Sequence, residues 1–375
     1  MRVALVVAGP YPALRGSQVL VSHLAEGLGQ RGHAVHLVTY GVESSAPSGP
    51  RAARIARDLL LVGRLWRTVR RRAIDVIHAH NYEAALAGLV VARVTGRPLV
   101  YHGHNVLHDE LPTYFASAPA RRLARALGRF LDAHVPRRAD FCIAVSDDLG
   151  ETLRRAGVRP EGIACIAPTG APRELGAAPA PAASSGLACY AGNLDGYQNL
   201  DFLVRSFARV RARVPGARLV VVTHADVPAE AARLQARAPG VEVLAAGSYE
   251  EVRARLEAAD VAVCPRTERS GFPMKLLNYM AAGKAIVACA GSAKGLRDGL
   301  TGRVVPDADE HAFAEAVADL LEDADLRARL GAAARRAVED PGAWNRVLDR
   351  IETIYRSVLA AHAPPARVLR QARPA

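Results

Sequence analysis

The pattern of this chain predicts an α/β protein built of two doubly wound, Rossmann-like halves, and three observations carry that expectation. Short apolar runs alternate with amphipathic stretches at the spacing of βαβ units. The alternation pauses at a segment rich in Pro, Ala, Ser and Gly, residues 172–186, and then restarts. At 375 residues the chain is too long for one ordinary core.

Taken in order, residues 3–8 read as a strand, 19–30 as a helix and 33–40 as a strand. Residues 59–72 read as a helix, 76–80 as a strand, 83–95 as a helix and 99–104 as a strand. A long basic helical region follows, and then a strand at 141–146. Past the linker, strands are expected at 188–191, 218–223, 241–245, 261–264 and 285–288. Helices are expected between them at 200–214, 230–238, 249–258 and 275–282. Two such halves facing each other make a cleft lined by the carboxyl ends of both sheets.

Composition narrows the function classes. Half the residues are hydrophobic, as in a globular protein, and no apolar run reaches the ~18 to 20 residues that span a bilayer. The first apolar run is too short for a usual signal peptide and reads better as a strand, so a cytoplasmic location is expected. Five scattered cysteines (Cys142, Cys165, Cys189, Cys264, Cys289) form no C-x-x-C pair and read as small hydrophobes, and no metal cluster is evident. The formal charge is +12. Residues 51–72 hold eight arginines against Asp58, interleaved with Ile55, Leu59, Leu60, Leu61, Leu65 and Trp66, and residues 121–130 repeat the pattern. These stretches are either amphipathic helices for an anionic membrane surface or the solvated outer face of an arginine-rich protein. No zinc finger, RNP pattern or helix-turn-helix accompanies them, so nucleic acid is not the expected partner.

The most informative stretch runs from Ser270 to Ala288. A loop, Gly271-Phe272-Pro273, opens an apolar-periodic helix through Met274, Lys275, Leu276 and Asn278 that stops at Gly283 before a buried strand. A helix start presents free N–H groups and the positive end of a dipole, a seat for phosphate, and Lys275 adds a cation there. In the first half, His78/His80, His102/His104 and Gly16 fall at strand ends that converge on one face.

Six motifs in order carry a family resemblance: residues 12–18 after the first strand, Arg31-Gly32-His33-Ala34-Val35, Ala144-Val145-Ser146, Ile166-Ala167-Pro168-Thr169-Gly170, the 270–288 segment, and Thr301-Gly302-Arg303-Val304-Val305-Pro306. Over nearly its whole length the chain resembles the GT-B-fold retaining glycosyltransferases of family 4 (glycosyl transferases group 1), diverging at their Glu-x7-Glu motif. The resemblance implies an N-terminal acceptor-side domain at 1–171, the linker at 172–186, a donor-binding domain at 187–342, and a last helix near 343–360 packing back on the first. It implies transfer of a sugar from a nucleotide-sugar co-substrate, the nucleotide unspecified, to a hydroxyl acceptor, with no cofactor and no metal. Polysaccharide, glycolipid or glycosylated-metabolite synthesis is the expected setting. The basic helices favour a lipid-linked acceptor and a peripheral site on the inner face of the cell membrane.

The same resemblance assigns site residues. On the donor side stand Gly16, Asn193, Gln198, Gly247, Ser248, Tyr249 and the segment Ser270, Gly271, Phe272, Pro273, Met274, Lys275, Leu276, Asn278. Ser270 and Asn278 occupy the places of the family's two glutamates, and Asn193 and Gln198 those of its Arg and Lys. His104 is assigned to the donor sugar or transition state, with Asp109 or Glu110 as general base. His80, Asn81, Tyr82, His102 and Asn105 line the acceptor side. Ser248 also reads as an ordinary helix N-cap. The missing charges leave two other readings open: a degenerate transferase acting as a sugar-binding scaffold, and a sugar-nucleotide 2-epimerase.

Overall fold

The computed structural model describes residues 1–11, 16–41, 52–169, 185–224, 228–269, 271–340 and 342–363. The expected linker falls almost wholly outside the described residues, as do Ser270, residues 12–15 of the first motif and the chain's last residues.

The first half alternates β1 (Arg2–Val7), α1 (Gly16–Gln30), β2 (Ala34–Val38), α2 (Ala52–Arg72), β3 (Val76–His80), α3 (Asn81–Thr95) and β4 (Leu99–Gly103). It continues with the short α4 (Leu107–Glu110), α5 (Ala118–His134), β5 (Phe141–Ala144), α6 (Asp147–Arg155) and β6 (Ile163–Cys165). The second half runs β7 (Leu187–Ala191), α7 (Leu200–Arg213), β8 (Arg218–Thr223), α8 (Pro228–Gln235), β9 (Val241–Ala245), α9 (Tyr249–Ala258), β10 (Val261–Cys264), α10 (Met274–Ala281), β11 (Ala285–Cys289) and β12 (Arg303–Val305). Helices α11 (Glu310–Glu322), α12 (Ala324–Val338) and α13 (Ala343–His362) follow.

Both sheets have six strands and are parallel throughout, in the orders β2-β1-β3-β4-β5-β6 and β12-β11-β10-β7-β8-β9. Their central strands, such as Val76–His80 and Ala285–Cys289, are buried at every residue because helices cover both faces. In the second sheet the order reverses between β7 and β10, the place where a parallel α/β sheet leaves a crevice at its carboxyl edge. The residues that leave those two strands, 192–199 and 265–269, therefore meet at one spot. Asn199, held at a left-handed φ of 60°, ties them together by donating from its side chain to the Pro265 carbonyl at 3.2 Å.

The last helix belongs spatially to the first sheet. Val347, Leu348, Ile351, Ile354, Tyr355 and Val358 of α13 are buried in the core formed by β1, β3, β4 and α1. At ~1.5 to 3 kcal/mol for each large apolar side chain buried, this seam is a major part of that core's stability. Arg31 anchors the seam at its edge, donating to Asp349 at 2.6 Å, and His33 bonds Glu352 at 3.0 Å.

Candidate functional site

The carboxyl ends of the two sheets face each other, and three close approaches mark the seam between them. A side chain placed on Gly271 would come within 3.1 Å of the His104 carbonyl, and one on Gly16 within 3.1 Å of Met274. One on Gly196 would come within 3.3 Å of the Thr113 carbonyl. Phe272 packs against cores of both halves, and Lys294 pairs with Asp148 across them.

On the second half, α10 starts at Met274 behind Pro273 and ends at Gly283, whose φ of 63° is the left-handed stop glycine tolerates. Leu276, Leu277, Met280 and Ala281 face the core, while Met274, Lys275 and Asn278 lie on the other side of the helix, half-buried. Leu276, wholly buried, thus turns away from the cleft. The Lys275 ammonium donates to the Tyr190 hydroxyl at 2.6 Å and to Gln198 Oε1 at 2.7 Å, and lies 3.9 Å from the Tyr190 ring centroid. Burial pulls its pKa down to about 7, with the nearby positive charge of Arg266 adding to the effect. Tyr190 in turn donates to the Asn193 carbonyl at 2.8 Å, and Asn193 donates to the Tyr197 hydroxyl at 3.0 Å. Asn193 and Gln198 are thereby joined to Lys275 in one network.

Arg266 gives no signal in the sequence, yet it lies in the same place. It is 9 % exposed, donates from Nε to Glu268 at 3.2 Å, and lies 5.2 Å from the Tyr197 ring centroid. Glu268 is half-buried, and the loss of water around it raises its pKa against the pull of Arg266.

On the first half, strand alternation carries four histidines to one face. His78 Nδ1 meets the Tyr355 hydroxyl at 2.6 Å, its Nε2 meets His102 Nδ1 at 3.1 Å, and His80 Nδ1 meets His104 Nε2 at 3.0 Å. Burial lowers every one of their pKa values, His104 to about 4, so at neutral pH the array is uncharged. Nε2 of His80 and of His102 are buried without a partner. The sequence leads to no expectation of a metal; the fold nonetheless sets nitrogens of His78, His80 and His102 within 4.8 Å of one another, close enough to bind a divalent ion.

The remaining sequence-derived residues divide. Asn81 stands at the strand-to-helix switch with a φ of 67°, and its Oδ1 is buried and unpartnered. Asn105 follows at the cleft edge, half-buried. Tyr82, one residue on from Asn81, is rotated by the helix into the core, 3 % exposed and against the ring of Tyr101. Glu110 accepts from the Tyr114 hydroxyl at 2.7 Å, and burial raises its pKa. Asp109, its side chain 47% exposed, lies 3.6 Å from His108, and its charge reaches Glu268 across the seam. Ser248 caps α9, accepting from the Glu251 amide at 3.2 Å, while Glu251 accepts from Gly247 N at 2.9 Å. That reciprocal cap accounts for Gly247 and Ser248 locally, and Tyr249 opens the helix.

Comparison with known proteins follows the same division of the chain. A family described as Glycosyltransferase Family 4 matches residues 14–169, and one described as Glycosyl transferases group 1 matches residues 186–323. Among curated relatives, the D-inositol 3-phosphate glycosyltransferase of Streptomyces scabiei is 26% identical over 322 residues, covering 79% of this chain and 71% of that protein. The phosphatidyl-myo-inositol mannosyltransferase of Mycobacterium tuberculosis is 26% identical over 388 aligned positions, covering 97% of this chain and 98% of the relative. Among solved structures, sucrose-phosphate synthase from Thermosynechococcus elongatus superposes with a TM-score of 0.80 at 20% identity, covering 96% of this chain and 100% of that one. Anabaena HepE in complex with UDP and glucose gives 0.72 at 17% identity, covering 95% and 100%. At these identities the solved structures speak for the fold alone.

Proposed function

Since the chain belongs to the group 1, family 4 glycosyltransferases and has their GT-B fold, we propose that it takes its sugar from a nucleotide-sugar donor and retains the configuration of the transferred carbon. The observation that carries the reading is Lys275, a half-buried lysine in the first turn of α10 at the switch point of the second sheet, its ammonium held against Tyr190 and Gln198. As the glycosidic bond breaks, charge grows on the departing diphosphate, and a preorganised cation with helix N–H groups stabilises it without a metal. Asn193 and Gln198 set the lysine's position; Met274 and Asn278 flank it. His104, a neutral imidazole across the seam, is assigned to the sugar. Of the two carboxyl groups at the seam, Asp109 and Glu110, the more buried Glu110 is the first candidate for the base. The acceptor is a hydroxyl, and the names of the relatives suggest an inositol phosphate or a phosphoinositide-type lipid. The exposed basic helices suit a cytoplasmic enzyme that visits an anionic membrane face; among the described residues no helix is long and apolar enough to cross a membrane.

Thermal unfolding against UDP, GDP, ADP and CDP tests this. One nucleotide at a hundred times its dissociation constant should stabilise the protein by about 2.7 kcal/mol, and Lys275→Ala should lose that shift. Silence from all four nucleotides would refute the donor assignment.

A further inference from the structure

We propose that Arg266 is the second cation of the donor site and forms, with Lys275, a two-pronged clamp for the diphosphate. This rests on the nucleotide-sugar reading above and assigns a residue that reading does not use.

The two cations are housed alike. Lys275 stands over Tyr190 and Arg266 over Tyr197, so the end of β7 and the segment that follows it each offer an aromatic face to a positive charge. Each also lies against a glycine. A Cβ on Gly192 would fall 2.8 Å from the Lys275 ammonium, and a Cβ on Gly271 would fall 2.4 Å from Arg266 Nη2. Any larger residue at either position would displace the charge from the crevice. The Gly271 contact also places the far edge of the guanidinium beside the His104 carbonyl, on the seam where the donor sugar would sit.

Lys275 is not satisfied the way a structural cation is, and Arg266 keeps one edge of its fork away from its carboxylate partner. Lys284, by contrast a buried lysine, donates to two backbone carbonyls, those of Glu257 and Ala259, at 2.6 and 2.8 Å. Among the described residues Lys275 bonds a hydroxyl and an amide oxygen, neither of them negative, and a third ammonium N–H is left for a ligand. Arg266 pairs through Nε with Glu268, leaving its Nη edge toward Gly271. The positive charge of Arg266 is felt at Lys275, where it disfavours the ammonium. Two like charges this close are costly when drawn out of water, and Glu268, the carboxylate bonded to Arg266, meets it through Nε and not through the edge that faces the crevice. A diphosphate offers two linked phosphoryl groups, and a guanidinium fork matches phosphate oxygens better than a point charge does.

The test uses the full chain with Arg266→Met and Arg266→Lys. Calorimetric affinities are measured for UDP, GDP, ADP and CDP, for the matching nucleosides, and for inorganic pyrophosphate. Arg266→Met should weaken the preferred diphosphate and pyrophosphate by about 10- to 100-fold. Its nucleoside affinity should stay within about twofold of wild type, and Arg266→Lys should recover part of the loss. Unchanged diphosphate affinity, or equal loss of nucleoside and diphosphate, overturns the clamp while wild-type binding still upholds the donor reading. A wild-type protein that binds no nucleoside diphosphate overturns both.

Discussion

At Lys275 an ammonium is enclosed by Tyr190, Gln198 and the start of α10, with Arg266, Asp195, Cys264 and Tyr279 as the titratable or charged groups around it. Its pKa of about 7, against the usual 10.5, has two consequences of opposite sign. Below about 7 the lysine is charged in folded and unfolded chains alike, and the folded chain bears the cost; above about 10.5 neither is charged and the cost is gone. Between those limits the ligand-free protein gains stability from this group as pH rises. Diphosphate affinity should move the other way, since binding above pH 7 requires the lysine to take up a proton. Calorimetry from pH 7 to pH 9 should show the dissociation constant rising by up to about tenfold per unit, and a flat profile would count against a lysine–phosphate contact. Lys275 was legible because it adjoins a Gly-Phe-Pro loop at a helix start. Arg266 was not: among 49 lysines and arginines nothing local marks it, and only the meeting of the β7 and β10 segments buries it. Tyr82 misled because it follows His80 and Asn81; periodicity changes from two to 3.6 at the positive φ of Asn81, and the next side chain turns inward.

Helix α5 touches its neighbours along a narrow line. Ala124, Gly128 and Asp132 are its buried residues, and a Cβ on Gly128 would lie 2.5 Å from His108 Cα, so glycine is needed where α5 crosses α4. Asp132 accepts from the Leu107 and His108 amides, both at 3.0 Å, which fixes the short helix that carries Glu110. Leu123, Leu127 and Phe130 are left 72%, 50% and 57% exposed, one above the other, among exposed arginines. On α2 the stripe Leu61, Leu65, Val69 is buried while Ile55, Leu59, Leu60 and Trp66 face outward. Leu123→Glu with Leu127→Glu should reduce co-sedimentation with phosphatidylglycerol vesicles at least tenfold, with stability changed by no more than about 0.5 kcal/mol. Wild-type binding that ignores vesicle charge, or a variant that binds as well as wild type, would place this face elsewhere. The pattern of basic and apolar residues revealed the helices but not the side turned to solvent, because an apolar stripe does not state what will cover it. Three-residue strands such as β6 and β12 escaped notice for lack of length; Arg303 even opens β12 with a charge.

Among the described residues three apolar clusters are buried, one in the first half and one on each face of the second sheet, and the first is completed by α13. Tyr355 is fully buried and bonds His78 at 2.6 Å, so Tyr355→Phe would strand a buried imidazole nitrogen. That variant should lose about 1 to 3 kcal/mol, read as an earlier thermal transition, with nucleotide protection of the second half retained. An unchanged melting temperature would show that the bond contributes nothing net. The alternation of runs and helices made both sheets legible. Strand order was not, since a crossover may step to either side of its starting strand and only the packed sheet records which.

The late return of α13 also sets a schedule for the chain as it is made. From Ile166, the last residue of the first apolar core before α13, to Val358 in α13 is a span of about 190 residues. At roughly 5 to 20 residues per second of synthesis, the first half waits on the order of ten to forty seconds with one flank of its core bare. The second half, whose strands and helices lie within that interval, has no such wait. During translation the donor-side unit is then the earlier to mature, and a ribosome stalled before residue 347 leaves an exposed apolar flank for chaperones to guard.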